Sequence, residues 1–172
     1  MTFEGKAIVA DGGPDWGHLR ATYAASGLLR EECTVAAAAG IGSGRVVYLA
    51  TPYSREVVDK HGVWCRDLHQ SVVNVAGFWS WRLSYEGATA ISPIVCADQI
   101  QVNGRCSGKG PGPLDDDWWS MWCLPLMRVA GCIVIPPIPG WDLSRGVWRE
   151  ACWALERGVP VCLISSPSKG VK

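Results

Sequence analysis

The sequence predicts an α/β domain in three layers, a parallel sheet between two layers of helices. Two observations carry this. Short apolar runs recur along the chain at Val46–Ala50, Ala88–Val95, Cys132–Ile138 and Pro160–Ile164, the composition of strands buried on both faces. Helical stretches separate them, and alternation of this kind implies right-handed crossovers between parallel neighbours.

Each element has a local reason. Val46-Val-Tyr-Leu-Ala50 is closed by Thr51-Pro-Tyr-Ser54, because proline removes a donor and fixes φ. A helix follows, starting near Ser54 or Gly62 and ending at Tyr85, with Val72, Val75, Ala76, Trp79 and Leu83 at helical spacing and Glu86-Gly87 as its stop. The second strand, Ala88 to Val95, is broken near its end by Pro93. Residues 96–113, rich in Gly, Lys, Ser and Pro, read as a mobile loop long enough to close as a lid. Asp115, Asp116 or Asp117 caps a helix running to Met127. After the third strand, Ser144 caps a helix to Arg157 that stops at Gly158. Residues 1–43 read as an N-terminal extension of uncertain order, with a short strand at Lys6–Ala10 and a helix capped by Asp15 and reaching about Arg30. Residues 44–172 form the α/β domain.

Composition narrows the function classes. The 172 residues carry 16 basic and 16 acidic side chains and are 48% hydrophobic. That suffices for a substantial core and leaves no basic tract for a nucleic-acid groove. The eight cysteines show no Cys-x-x-Cys and no zinc spacing, so neither a metal nor another cofactor is expected. Several, such as Cys132 and Cys162, sit inside apolar runs as small hydrophobes. No run of 18 apolar residues and no basic-then-apolar start is present; a soluble protein of the reducing cytoplasm is expected. Ten tryptophans against two phenylalanines suggest ligand stacking or subunit contacts, with core packing the plainer alternative. Trp79, Trp81, Trp118, Trp119 and Trp122 are candidate contacts of a homo-oligomer. His61 and His69 read as exposed polar residues of the long helix.

In a parallel sheet, ligands sit beyond the carboxyl ends of the strands. Thr51–Ser54, Ser92–Asp98 and Pro139–Glu150 converge on that edge. The last is the most informative. A strand passes through a Pro/Gly turn into a helix whose free amides attract anions such as phosphate. Gly146 admits close approach to the backbone. Glu150, three residues after Val147, borders the buried face, where a carboxylate is a candidate nucleophile or base; pairing with Arg149 on a solvated face is the alternative.

Val47-Tyr-Leu-Ala-Thr-Pro-Tyr-Ser54, Ile91-Ser-Pro-Ile-Val95, Pro139-Gly-Trp-Asp-Leu-Ser-Arg-Gly-Val147 with Glu150, and Gly158-Val-Pro-Val161 together resemble the DUF1937 domain family, similar to nucleoside 2-deoxyribosyltransferases, over about residues 45–165. The resemblance implies a doubly wound, flavodoxin-like sheet and a nucleoside or nucleotide substrate. It implies Glu150 as the nucleophile at the anomeric carbon, as in two-step retaining glycosyl transfer, and Tyr48 as a residue that orients the nucleophile or contacts the sugar. Ser144 and Gly146 would hold a 5′-phosphate or hydroxyl, and Trp141 would stack on a base or cover the sheet edge. Pro52, Ser92, Pro93 and Asp98 would line the substrate side. The sequence departs from the pattern where relatives carry aspartates, with Cys123 and Ala130-Gly131 in those places, and Val95-Cys96-Ala97 stands where relatives have a histidine. A leaving nucleobase needs a proton, for which Asp98 or one of Asp115, Asp116 and Asp117, Asp117 foremost, stands in; capping explains the triplet as well. The expectation is therefore an N-glycosidase or deoxyribosyltransferase or, alternatively, a non-catalytic nucleotide or phosphosugar binding module.

Overall fold

The computed structural model describes residues 13–166; the strand expected at Lys6–Ala10 lies outside them. Its elements are α1 (Trp16–Tyr23), β1 (Leu29–Cys33), α2 (Val35–Ile41), β2 (Val46–Leu49), α3 (Arg66–Tyr85), β3 (Thr89–Ile91), α4 (Pro93–Ser107), α5 (Asp116–Val129), β4 (Ala130–Ile135), α6 (Arg145–Glu156) and β5 (Val161–Ile164). The five strands form one sheet in the order β1-β5-β4-β2-β3, and every pairing is parallel.

Side-chain alternation makes the three layers. Tyr48 of β2 and Ala50 just beyond it face a core with Met127 of α5, Val147, Ala151 and Leu155 of α6, and Trp16 and Leu19 of α1. Val47 and Leu49 face the other core, with Ala38 and Ala39 of α2 and Trp79 and Leu83 of α3. Ile133 and Ile135 against Cys132 and Val134 divide β4 in the same way, as a period of two requires. Caps fix where helices start. Asp15 accepts from the His18 amide, Thr34 from Ala37 at 3.1 Å, Asp115 from Trp118 at 3.1 Å and Ser144 from Val147 at 3.4 Å.

The structure differs from the sequence reading at several elements. The long helix expected from Ser54 or Gly62 starts at Arg66. The helix expected to reach Arg30 ends at Tyr23. Gly27 turns the chain at φ 72°, and Leu29–Cys33 becomes the strand that pairs with β5 along its outer edge. The second strand is shorter than expected because Pro93 opens a helix. Proline suits a first helical position, where its missing N–H is no loss, and the Ser92 hydroxyl accepts from the Val95 amide at 3.4 Å. Most of the segment read as a mobile lid is therefore α4. The third strand ends at Ile135, where Pro136-Pro137 supplies no further donors.

Candidate functional site

The strand order reverses between β2 and β4. From β2 the chain proceeds to β3 on one side, and from β4 to β5 on the other. Crevices at such switch points, outside the carboxyl ends of the strands, are where open α/β sheets bind ligands. A cavity lies at this point, lined from β2 and the loop after it (Tyr48, Thr51, Tyr53), α3 (His69), α4 (Pro93, Ala97, Gln101), α5 (Trp119, Cys123) and α6 (Gly146, Glu150).

Its floor is a carboxylate–phenol pair. Tyr48 is fully buried and donates its hydroxyl hydrogen to Glu150 Oε1. The two side chains come from positions 102 residues apart. Sheet pairing of β2 with β4, and the direct passage from β4 through a Gly140 turn into α6, make them neighbours. Gly140 sits at φ 80°, and a Cβ there would meet Glu56 Oε1 at 3.1 Å, so the turn favours glycine. Burial pushes the Glu150 carboxyl up from 4.5 to about 7, opposed in part by the Tyr48 hydrogen bond and by Arg149. Burial, reinforced by the Glu150 charge, pushes the Tyr48 phenol well above its ordinary value, so Tyr48 serves as a donor. Cys123 lies beside both; burial and the Glu150 charge raise its thiol to about 12. Thr51 Oγ1, on the cavity wall, is buried with no hydrogen-bond partner among the described residues, which leaves it to a ligand or water.

Ser144 and Gly146 line the cavity at the start of α6, although the Ser144 hydroxyl already caps that helix. A Cβ on Gly146 would meet only Ser144 Oγ, at 3.9 Å. Protein packing thus does not require glycine there, and the missing side chain leaves space on the ligand side. Ser144, Arg149, Tyr53 and Asp116 also border a second hollow that adds Pro52, Arg55 and Arg145. Arg149 pairs with Asp116 at 2.6 Å across the mouth between α5 and α6.

The remaining sequence candidates divide. Pro93 lines the cavity, and Pro52 lines only the second hollow. Ser92 is buried as the partner of the Val95 amide. Asp117 is exposed in the first turn of α5 and lines neither hollow; of the acidic triplet, Asp115 is the cap and Asp116 reaches the cavity. Trp141 packs edge-on against Trp16, with ring centroids 4.9 Å apart, outside the cavity lining. Trp119, a candidate oligomer contact in the sequence, lines the cavity wall. Trp79 is buried, and Trp81 and Trp118 are exposed. His69 is not exposed: it is buried between Asp98 and Tyr53. Sequence spacing held no signal for this, because the three residues belong to different elements. Gly131 lies at the amino end of β4, remote from the cavity, and a Cβ there would meet Arg45 Cβ at 2.8 Å. Of the departures at Cys123 and Gly131, only Cys123 touches the site.

Among the described residues, no group of three or more His, Cys, Asp and Glu side chains gathers to hold a metal ion, and no helix is long and apolar enough to cross a membrane. No curated protein and no solved structure matches the chain. The model of one family, a domain of unknown function designated DUF1937, matches residues 45–166, which take in β2 through β5 and every residue lining the cavity, and the chain belongs to that family.

Proposed function

We propose that the protein cleaves or transfers the N-glycosidic bond of a nucleoside or nucleotide, with Glu150 as the nucleophile. The observation that carries the reading is the hydrogen-bonded Tyr48–Glu150 pair on the floor of the switch-point cavity. A carboxylate there is desolvated and therefore basic, and one phenol fixes it in place. In the first step a Glu150 oxygen forms a bond to the anomeric carbon as the base departs with the bonding electrons. In the second, water or an acceptor nucleophile displaces Glu150 from the glycosyl ester. Thr51 offers an unpaired hydroxyl for the sugar, and Trp119 offers a flat apolar face for the base. Arg55 and Arg145 beside the start of α6 suit a 5′-phosphate in the adjoining hollow, which favours nucleotides over nucleosides.

A non-catalytic binding module of the same fold is the second reading. Cys123 favours it, standing as a half-buried, protonated thiol beside Glu150 where the resemblance implies an acid. Incubation with a panel of nucleosides and 5′-monophosphates, followed for free base, separates the two. Catalysis requires base release by the wild type and its loss in Glu150→Gln with binding retained. Binding of a nucleotide without release leaves only the module.

A further inference from the structure

On the wall of the same cavity, three elements each commit a polar side chain to one hydrogen-bonded chain. His69, in the first turn of α3, is 6% exposed. Its Nε2 lies 2.9 Å from Asp98 Oδ1 of α4, and its Nδ1 lies 2.9 Å from the Tyr53 hydroxyl, in the loop after β2. Trp64 Nε1 donates to the same hydroxyl at 3.3 Å. Trp64 and Tyr53 flank the imidazole at centroid distances of 5.4 and 5.8 Å. Tyr53 and His69 are on the cavity wall with Glu150, whereas Asp98 stands behind them. With the Asp98 carboxylate accepting at Nε2, the neutral ring accepts the Tyr53 O–H at Nδ1, and a ring that carries a second proton donates Nδ1–H to the Tyr53 oxygen instead. Apolar side chains would pack this wall at lower desolvation cost. An aligned acid–imidazole–phenol chain that ends on a cavity surface is the arrangement proton transfer needs.

We propose that Asp98, His69 and Tyr53 form the proton relay of the reaction, supplying the leaving base and then activating the incoming hydroxyl; this rests on the N-glycosyl reading above. Tyr53 touches the reacting groups, and His69 and Asp98 act through it. The first step requires the relay to enter with one further proton, on Nδ1 of His69 and opposite the Asp98 carboxylate. As the C–N bond breaks and its electron pair moves to the base nitrogen, the Tyr53 proton passes to that nitrogen. The Nδ1 proton moves to the Tyr53 oxygen, leaving a neutral imidazole. In the second step water attacks the anomeric carbon and gives its proton to the Tyr53 oxygen. The Tyr53 proton returns to Nδ1, and the Glu150 ester bond breaks with its electron pair returning to the carboxylate. The relay ends as it began, and the net reaction is hydrolysis of the N-glycoside.

The test compares leaving groups that do and do not need a proton. Base release is measured in a single turnover, which reports the first step alone, for a purine nucleotide and for its 7-methylpurine counterpart, whose cationic base departs unaided. Tyr53→Phe removes one oxygen and keeps the ring; His69→Gln and Asp98→Asn interrupt the chain behind it. Each variant is expected to lose at least about 100-fold on the ordinary purine and no more than a few-fold on the methylated one. Equal losses on both substrates overturn the relay and leave Glu150 catalysis standing. Absence of base release by the wild type from either substrate overturns the N-glycosyl reading and the relay together. If His69→Gln fails to fold, the near-isosteric Tyr53→Phe decides.

Discussion

Replacing Glu150 by glutamine should make the protein more stable as the pH rises. The carboxyl is held at about 7 in the folded chain against 4.5 ordinarily, chiefly by burial. Below 4.5 both states are protonated and burial of the acid carries no charge penalty. Between 4.5 and about 7 the unfolded chain gives up its proton first, so native stability falls as pH rises; above 7 the loss is complete. At about 1.4 kcal/mol per pH unit the full effect is about 3 kcal/mol, an upper value because the carboxyl keeps some contact with the cavity. For a chain of this length that is roughly 6–12 °C in Tm. Glutamine retains an oxygen to accept from Tyr48 and never ionises. Urea unfolding of both proteins from pH 5 to pH 8.5 should show the variant's advantage growing with pH and levelling off above 7. An advantage that does not change with pH, or one that shrinks, would refute the burial argument.

The same ionisation should appear in catalysis, as single-turnover release of a 7-methylpurine base, which needs no proton from Tyr53, that rises with pH to a plateau above about 7, because only the carboxylate attacks. Cys123→Asp would place a second negative charge beside Glu150 and Tyr48, so the rising limb of that profile should move to higher pH; an unmoved limb would mean that the new carboxylate points away. Gly146→Ala should leave unfolding within about 0.5 kcal/mol of wild type, since its Cβ meets nothing closer than 3.9 Å, yet weaken nucleotide binding measured by calorimetry. Ser144→Ala should lower stability by about 0.5–1 kcal/mol in urea titrations, the low end for a lost cap, because the Val147 bond is long at 3.4 Å.

Much of this architecture is legible in the sequence because local chemistry and tertiary packing agree there. The apolar runs at β2, β4 and β5 are buried strands, and Ser144 and Asp115 cap the helices they precede. Tyr48 and Glu150 meet because a strand order that switches between β2 and β4 brings the ends of both to one crevice. What escapes the sequence depends on contacts it does not encode locally. Leu29–Cys33, with the burial pattern of an edge strand and three exposed residues in its middle, has no apolar run to announce it. Pro93 is the same residue whether it breaks a strand or opens a helix, and only the Ser92 cap and the packing of α4 on α3 decide. His69 looks like one more polar residue until α4 brings Asp98 to it.

The edge strand has a consequence for how the chain behaves when shortened. β1 precedes the residues that the family model matches, yet it covers the outer side of β5, and Ser165 bonds back to Cys33 through both its amide and its hydroxyl. A chain begun at Arg45 would leave β5, all four of whose residues are buried in the intact protein, as an open apolar edge. Unpaired edges of that kind recruit other chains. Such a truncation should therefore enter inclusion bodies or associate through β5, and a charged residue on that edge should restore its solubility before it restores any fold.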